Sequence, residues 1–158
     1  MNNLKFRAYI KSIKKVIDVL TLDFKNKTVT LDIDTDKVES SSDFWWSETV
    51  LNFEDVEIMQ STGLFDKNGK EVFEGDIVEF PEVYVFSDFE EGLTGVDGFN
   101  IASVVKRGNY VTLDNFAGED GATERELENY KCTFDDLDFK NFEVIGNIYE
   151  NKELLKWK

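Results

Sequence analysis

The chain has 158 residues, 41% of them hydrophobic and 14% aromatic, a globular composition with room for one well-packed domain and a small appended unit. A net charge of −15 repels nucleic-acid phosphate and argues against general nucleic-acid affinity. No apolar run approaches the roughly 20 residues that span a bilayer, Met1 to Lys5 lacks the apolar core of a secretion signal, and the lone Cys132 excludes an intramolecular disulfide, so a cytoplasmic protein with no membrane contact is expected.

The charge is uneven. Residues 1–31 carry seven Lys or Arg against Asp18 and Asp23, a net of +5, and the remainder carries eleven basic and 31 acidic residues, a net of −20. The basic end is expected to dock on acidic surface, with Phe6, Tyr9 and Ile10 supplying the apolar contact, because exposed ion pairs contribute only about 0–1 kcal/mol each. Leu4 to Ile10 alternates, with Phe6, Ala8 and Ile10 on one face, which predicts a strand. Val19 to Phe24 and Thr28 to Ile33 alternate around Lys25-Asn26-Lys27 and predict a hairpin. All ten glycines lie at Gly63 or later, so these first reversals must be made without glycine. Asp34 to Asp43, with three serines, predicts a loop. Phe44-Trp45-Trp46 follows it. Adjacent tryptophans on a strand face opposite ways, so one is free to anchor a partner, although plugging the junction between two parts of the chain is the preferred reading.

Asn68-Gly69 is a strong hairpin signal of the type I′ kind, flanked by Gly63-Leu64-Phe65 and Val72-Phe73. Glu74-Gly75-Asp76 predicts a second reversal before the strand Ile77 to Phe80, and Pro81 is expected to end that strand. Such turns belong to a small, strongly bent barrel. Helix is predicted only near Thr123–Tyr130 and near Asn151–Trp157.

Three blocks, FRAY at Phe6–Tyr9, MQSTGLFDKNGKEVFEGDIVEF at Met59–Phe80 and FEVIGNIYENKELL at Phe142–Leu155, resemble the YopX family of phage and prophage proteins. The resemblance implies an SH3-like, roll-type β-barrel in the C-terminal part, preceded by an N-terminal β segment. It also implies a viral origin and a role inside a bacterial host, and it supplies no activity. The sequence departs from the family at two places. Lys152 stands where a proline is usual at the first position of the terminal turn, so Asn151 must cap that turn without proline's help. Glu82–Gly98 is an acidic insertion between barrel strands.

Catalytic signatures are incomplete. There is no histidine, which removes Ser-His and Cys-His activation and the usual zinc sites. Gly92, Gly95 and Gly98 lie among acidic residues, where phosphate would be repelled. Asp32 to Asp43 imitates a calcium loop, with Lys37 where the sharp turn needs glycine and Asp43 in place of the bidentate glutamate. Asp23-Phe24-Lys25 and Asp138-Phe139-Lys140 match half of a metal-dependent nuclease signature and need a further carboxylate nearby. Lys5, Arg7, Lys11, Lys14 and Lys15, with Tyr9 for stacking, form a candidate phosphate track, against the preferred reading of a basic edge strand protected from aggregation.

The expected fold is mainly β, with β-rich α+β as its variant: an N-terminal β segment over residues 1–56, then, as the resemblance implies, the SH3-like barrel over 57–158 with the insertion at 82–98 and a short terminal helical turn. The expected function is that of a non-enzymatic phage or prophage accessory protein. It would act by contact with a host or phage protein or with further copies of itself, acidic mimicry of nucleic acid being one form of this. Phe6, Tyr9, Trp45 and Trp46 are the candidate contact residues. No catalytic residue, cofactor or metal is expected. The alternatives are a metal-dependent enzyme working through carboxylates and a nucleic-acid module using the basic N-terminal strands.

Overall fold

The computed structural model describes residues 4–32, 48–88, 92–108, 110–118 and 139–156. Over these residues the chain is mainly β, with ten strands in antiparallel pairs and three short 3-10 turns. It divides into two compact units, Met1–Ser61 and Thr62–Lys158.

The first unit holds β1 (Phe6–Ile10), β2 (Lys15–Asp23), β3 (Thr28–Asp32), β4 (Glu48–Asn52) and the beginning of β5 (Val56–Phe65), in the order β4-β3-β2-β1-β5. The reversals that lack glycine put lysine in the left-handed region instead: Lys14 and Lys27 both have φ of 55°. That conformation is uncommon for a residue with a Cβ. At the β2–β3 turn Asp23 imposes it. The Asp23 carboxylate accepts hydrogen bonds from the N–H groups of Lys25 at 3.0 Å and Asn26 at 2.9 Å and from the Asn26 amide at 2.7 Å, which leaves Lys27 to complete the reversal.

The connection from β4 to β5 forces the sheet to curl. Ile10 pairs with Lys15 at one end of β2 and Thr28 with Asp23 at the other, about 26 Å apart along a straight strand. Yet the 3-10 turn Phe53–Asp55 reaches both ends: the Phe53 N–H donates to the Lys27 carbonyl and the Asp55 carbonyl accepts from the Lys11 N–H. Three residues span at most about 11 Å, so β2 must bend back on itself. A bulge between Val19 and Thr21 supplies the bend. The concave face encloses Ala8, Ile10, Val29, Leu31 and Val56, all buried, with Ile17, Val19, Leu22 and Phe53 packed against them. Each such aliphatic side chain contributes roughly 1.5–3 kcal/mol by burial.

Two expectations change here. β1 lies between β2 and β5, so the basic N-terminal strand is interior to the sheet and is not a protected edge. Ile10 is fully buried in the core of its own unit, so it is unavailable for docking on an acidic surface.

The second unit contains the end of β5, β6 (Glu71–Phe73), β7 (Asp76–Asp88), β8 (Gly92–Arg107), β9 (Tyr110–Gly118) and β10 (Glu143–Asn147). β7 to β10 pair in the order β10-β7-β8-β9. Among the described residues this sheet is open, with β10 and β9 as its edges, where a closed barrel was expected. Both of its faces are apolar. Val78 packs with Val72, Val104, Val111, Phe142 and Val144 on one side, and Ile77 packs with Ile101 and Ala117 on the other, covered by Leu154 and Leu155 of the terminal turn. A strand buried on both faces reads as a continuous apolar run, as Ile77-Val78 does.

Pro81 does not end β7. The strand continues to Asp88, and its residues 82–88 pair with residues 92–98 of β8, from Glu82 opposite Gly98 to Asp88 opposite Gly92. The last β7 residue paired with β10 is Glu79. Beyond it, among the described residues, β7 has one neighbour, where proline breaks the ladder only if its nitrogen faces β8. The terminal turn is a 3-10 turn, Lys152–Leu155, whose first carbonyl partner is the Asn151 main chain, with no bond from the Asn151 side chain to the turn. That side chain faces back instead: Asn151 Oδ1 accepts from the Asn147 N–H at 3.3 Å and lies against Gly146, where an added Cβ would sit 2.6 Å from it. The helix expected near Thr123–Tyr130, Cys132 and Trp157 lie outside the described residues.

Candidate functional site

The glycine-rich stretch Gly63–Phe80 is densely hydrogen-bonded. Asp66 is buried, and its Oδ1 accepts from the N–H groups of Asn68 and Lys70, both at 2.8 Å, while Oδ2 accepts from the Val144 N–H at 3.0 Å. The Gly69 N–H donates to the Asp66 carbonyl and Gly69 has φ of 77°, whereas Asn68 is not among the positive-φ residues. The turn is therefore a three-residue loop of type I with a left-handed glycine, and not the expected type I′. The reason is the Asp66 carboxylate, which gathers the loop N–H groups to one side. Burial pushes the Asp66 carboxyl up, but the N–H groups of Val144, Lys70 and Asn68 outweigh it and hold it below its ordinary value. The Lys67 N–H donates to the Phe142 carbonyl at 2.8 Å, and the Lys67 ammonium pairs with Glu143. Phe80 and Phe142 stack with centroids 4.8 Å apart. Hairpin and β10, with the residue before it, are thus latched by one carboxylate, one main-chain bond and one exposed ion pair, and the ring pair ties that same residue to β7. These residues serve architecture.

Of the carboxylates that suggested metal chemistry, Asp23 is similarly occupied. Both oxygens of Asp23 accept within its own turn, and the Asn26 N–H, followed by the Asn26 amide, holds its carboxyl below the ordinary value. Asp76 is buried and accepts the Phe73 N–H at 2.8 Å. Among the described residues no three acidic or cysteine side chains gather where they could hold a metal ion. Asp32 ends β3; the rest of the calcium-like run 34–43, and Asp138, lie outside the described residues.

Of the candidate contact residues, Phe6 and Tyr9 both lie on β1 and are half-buried, but the strand separates them. Phe6 shares the face of Ala8 and Ile10, and Tyr9 takes the other, as a period of two requires. They make no common surface. Trp45 and Trp46 lie outside the described residues. The basic segment does meet acidic groups of its own unit: Lys11 Nζ lies 2.9 Å from Glu57 Oε1 and 2.9 Å from the Glu54 carbonyl. Both side chains are about half exposed, so this pair orients more than it stabilises.

The first unit also exposes apolar side chains that the sequence does not single out. Phe24 is 74% exposed in the β2–β3 turn, and its ring meets Phe53 edge-on at 5.9 Å. Val50 on β4, an edge strand among the described residues, is 62% exposed, and Leu20 is 50% exposed. Alternation places Leu20 with Leu22; the bulge beside it shifts the phase, so that Leu22 packs against the core and Leu20 does not. Lys25 and Lys27 flank Phe24 in the same exposed turn.

Comparison with known proteins gives a family and little else. The model of the family described as YopX protein matches residues 5–156, nearly the whole chain. No curated protein matches. Among solved structures, the chain is similar to that of protein EF1440 from Enterococcus faecalis, at 27% identity over 97% of this chain and 98% of that one, with a TM-score of 0.49. No helix among the described residues is long and apolar enough to cross a membrane.

Proposed function

The chain belongs to the YopX family, and from that premise we propose that it is a phage or prophage accessory protein, working in the bacterial cytoplasm through contact with another protein rather than by catalysis. The observation that carries this reading is the Phe24 ring, exposed yet fixed edge-on against Phe53. An aromatic anchor already held in place loses little freedom when a partner covers it. Lys25 and Lys27 beside it favour an acidic partner surface, which a second copy of so acidic a chain would also offer. Phe24→Ser is expected to fold normally, since the side chain is exposed, and to abolish any self-association that light scattering detects in the wild type and any partner that the wild type captures from host lysate. A variant that keeps every partner and oligomer of the wild type would remove this surface from consideration.

The carboxylate-enzyme alternative loses ground because Asp23, Asp66 and Asp76 direct their oxygens at main-chain N–H groups. Calorimetric titration with Ca²⁺, Mg²⁺ and Mn²⁺ is expected to show no stoichiometric binding. Tight binding of one ion, lost in Asp34→Asn, would restore the metal-dependent reading.

The SH3-like part of the family fold is, on the same proposal, the first unit. A meander of four strands, a 3-10 turn and a fifth strand laid antiparallel to the first is the strand order of that roll, here open between β4 and β5. The strong bend of β2 supports it. Phe24 and Phe53 then sit where the β2–β3 turn meets the 3-10 turn.

A further inference from the structure

Asn68 is the only asparagine in the chain followed by glycine, and it lies exposed at the tip of the β5–β6 hairpin. The carbon of an asparagine side-chain amide is electrophilic, and the nucleophile nearest to it is the main-chain nitrogen of the next residue. With glycine in that place no side chain shields the nitrogen, and nothing lies within 4 Å of where a Cβ would stand on Gly69. The fold nevertheless holds this nitrogen back. The Gly69 N–H donates to the Asp66 carbonyl at 2.9 Å, and the N–H groups on either side, of Asn68 and Lys70, both donate to Asp66 Oδ1. Cyclisation requires those bonds to open first, so its rate follows the population of the opened turn.

We propose that Asn68 is a site of spontaneous deamidation, gated by the Asp66 carboxylate. The Gly69 nitrogen gives its proton to hydroxide and bonds to Asn68 Cγ; the Cγ–Nδ2 bond breaks and ammonia leaves. Water then adds to the five-membered imide and opens it to aspartate or isoaspartate, with no change of oxidation state. Aspartate places a new negative charge two residues from the buried Asp66 carboxylate. Isoaspartate lengthens the main chain by one carbon between positions 68 and 69. That spoils the spacing by which Gly69 N–H reaches the Asp66 carbonyl and Asp66 N–H reaches the Lys70 carbonyl. Because Lys67 N–H and Asp66 Oδ2 of the same turn bond to Phe142 and Val144, β10 is the element that the modified turn loosens. The modification is irreversible and couples the age of the molecule to the hold on its C-terminal strand.

The test is peptide mapping by mass spectrometry of the full-length protein during incubation at mildly alkaline pH, folded and in urea. In urea, Asn68 is expected to convert before every other asparagine; in the folded protein its conversion should be at least about tenfold slower, as protection by local structure implies. Asp66→Ala should close most of that gap. Val111→Ala, a core change in the same unit that removes none of the turn's hydrogen-bond partners, serves as the control for general destabilisation and should leave Asn68 protected. Another asparagine converting first in urea, or a folded wild type converting as fast as the unfolded chain, would overturn the site. Equal acceleration by Asp66→Ala and Val111→Ala would overturn the gate.

Discussion

Asp66→Ala is expected to destabilise the second unit by about 2–4 kcal/mol. The carboxylate takes three main-chain N–H groups at 2.8–3.0 Å, two from its own turn and one from Val144, 78 residues away. Alanine leaves all three donors without that acceptor, and the Val144 N–H lies in buried surroundings where water is a poor substitute. Asp66→Asn should cost less than alanine, since one amide oxygen can still serve the turn while the amide nitrogen confronts the Val144 N–H. Thermal denaturation at neutral pH reads both, and an alanine variant melting within a degree or two of wild type would refute the latch. The pH dependence has a fixed sign. The folded-state pKa of Asp66 lies below the ordinary 3.8, so its contribution is fully present above that value and is lost as pH falls through the lower folded-state value. The gap between wild type and Asp66→Ala should therefore be constant at neutral pH and narrow only in acid below about pH 4.

Much of this architecture is local and therefore visible in sequence. Alternation gives β1, the second half of β2 from Val19 on, and β3, and Asn68-Gly69 gives a later hairpin. What alternation misses depends on contacts between residues distant in the chain. A single bulge beside Leu20 reverses the face of everything after it, and nothing in Val19 to Phe24 announces the bulge. The Asp66 carboxylate decides the turn type, and its third bond reaches β10. Pro81 reads as a strand end because proline cannot donate, but whether that matters depends on how many neighbours the strand has there. The candidate contact residues fared differently. The period of two that predicts β1 already separates Phe6 from Tyr9, so their separation was legible. The exposure of Phe24 was not, because a phenylalanine after an alternating strand reads as core. Only the crossing of the Phe53–Asp55 turn explains where that ring ends up.

Gly75→Val is expected to be the more damaging of the two turn substitutions in Gly63–Phe80. Gly69 and Gly75 have similar φ, 77° and 82°, so a β-branched residue incurs at either the strain of a left-handed backbone, about 1–3 kcal/mol. Their surroundings differ. Gly69 is exposed, with open space where a side chain would go, and its N–H bonds only within its own turn, to the Asp66 carbonyl, so strain is the larger part of its cost. Gly75 is buried, its N–H donates to the Val104 carbonyl at 2.8 Å, and its carbonyl accepts from the Ile148 N–H at 2.8 Å. A valine that relaxes its strain by turning the backbone must give up one or both of these bonds. It then detaches the β6–β7 turn from β8 or from the residue that follows β10. The cost at Gly75 should accordingly exceed that at Gly69 by one or two hydrogen bonds' worth, about 1–3 kcal/mol in total. Amide exchange separates the two cases. Gly69→Val should speed exchange only around its own turn, whereas Gly75→Val should also deprotect Ile148. Equal stabilities for the two variants, with Ile148 still protected, would mean that the buried bonds of Gly75 survive the turn's distortion, and that strain alone governs both positions.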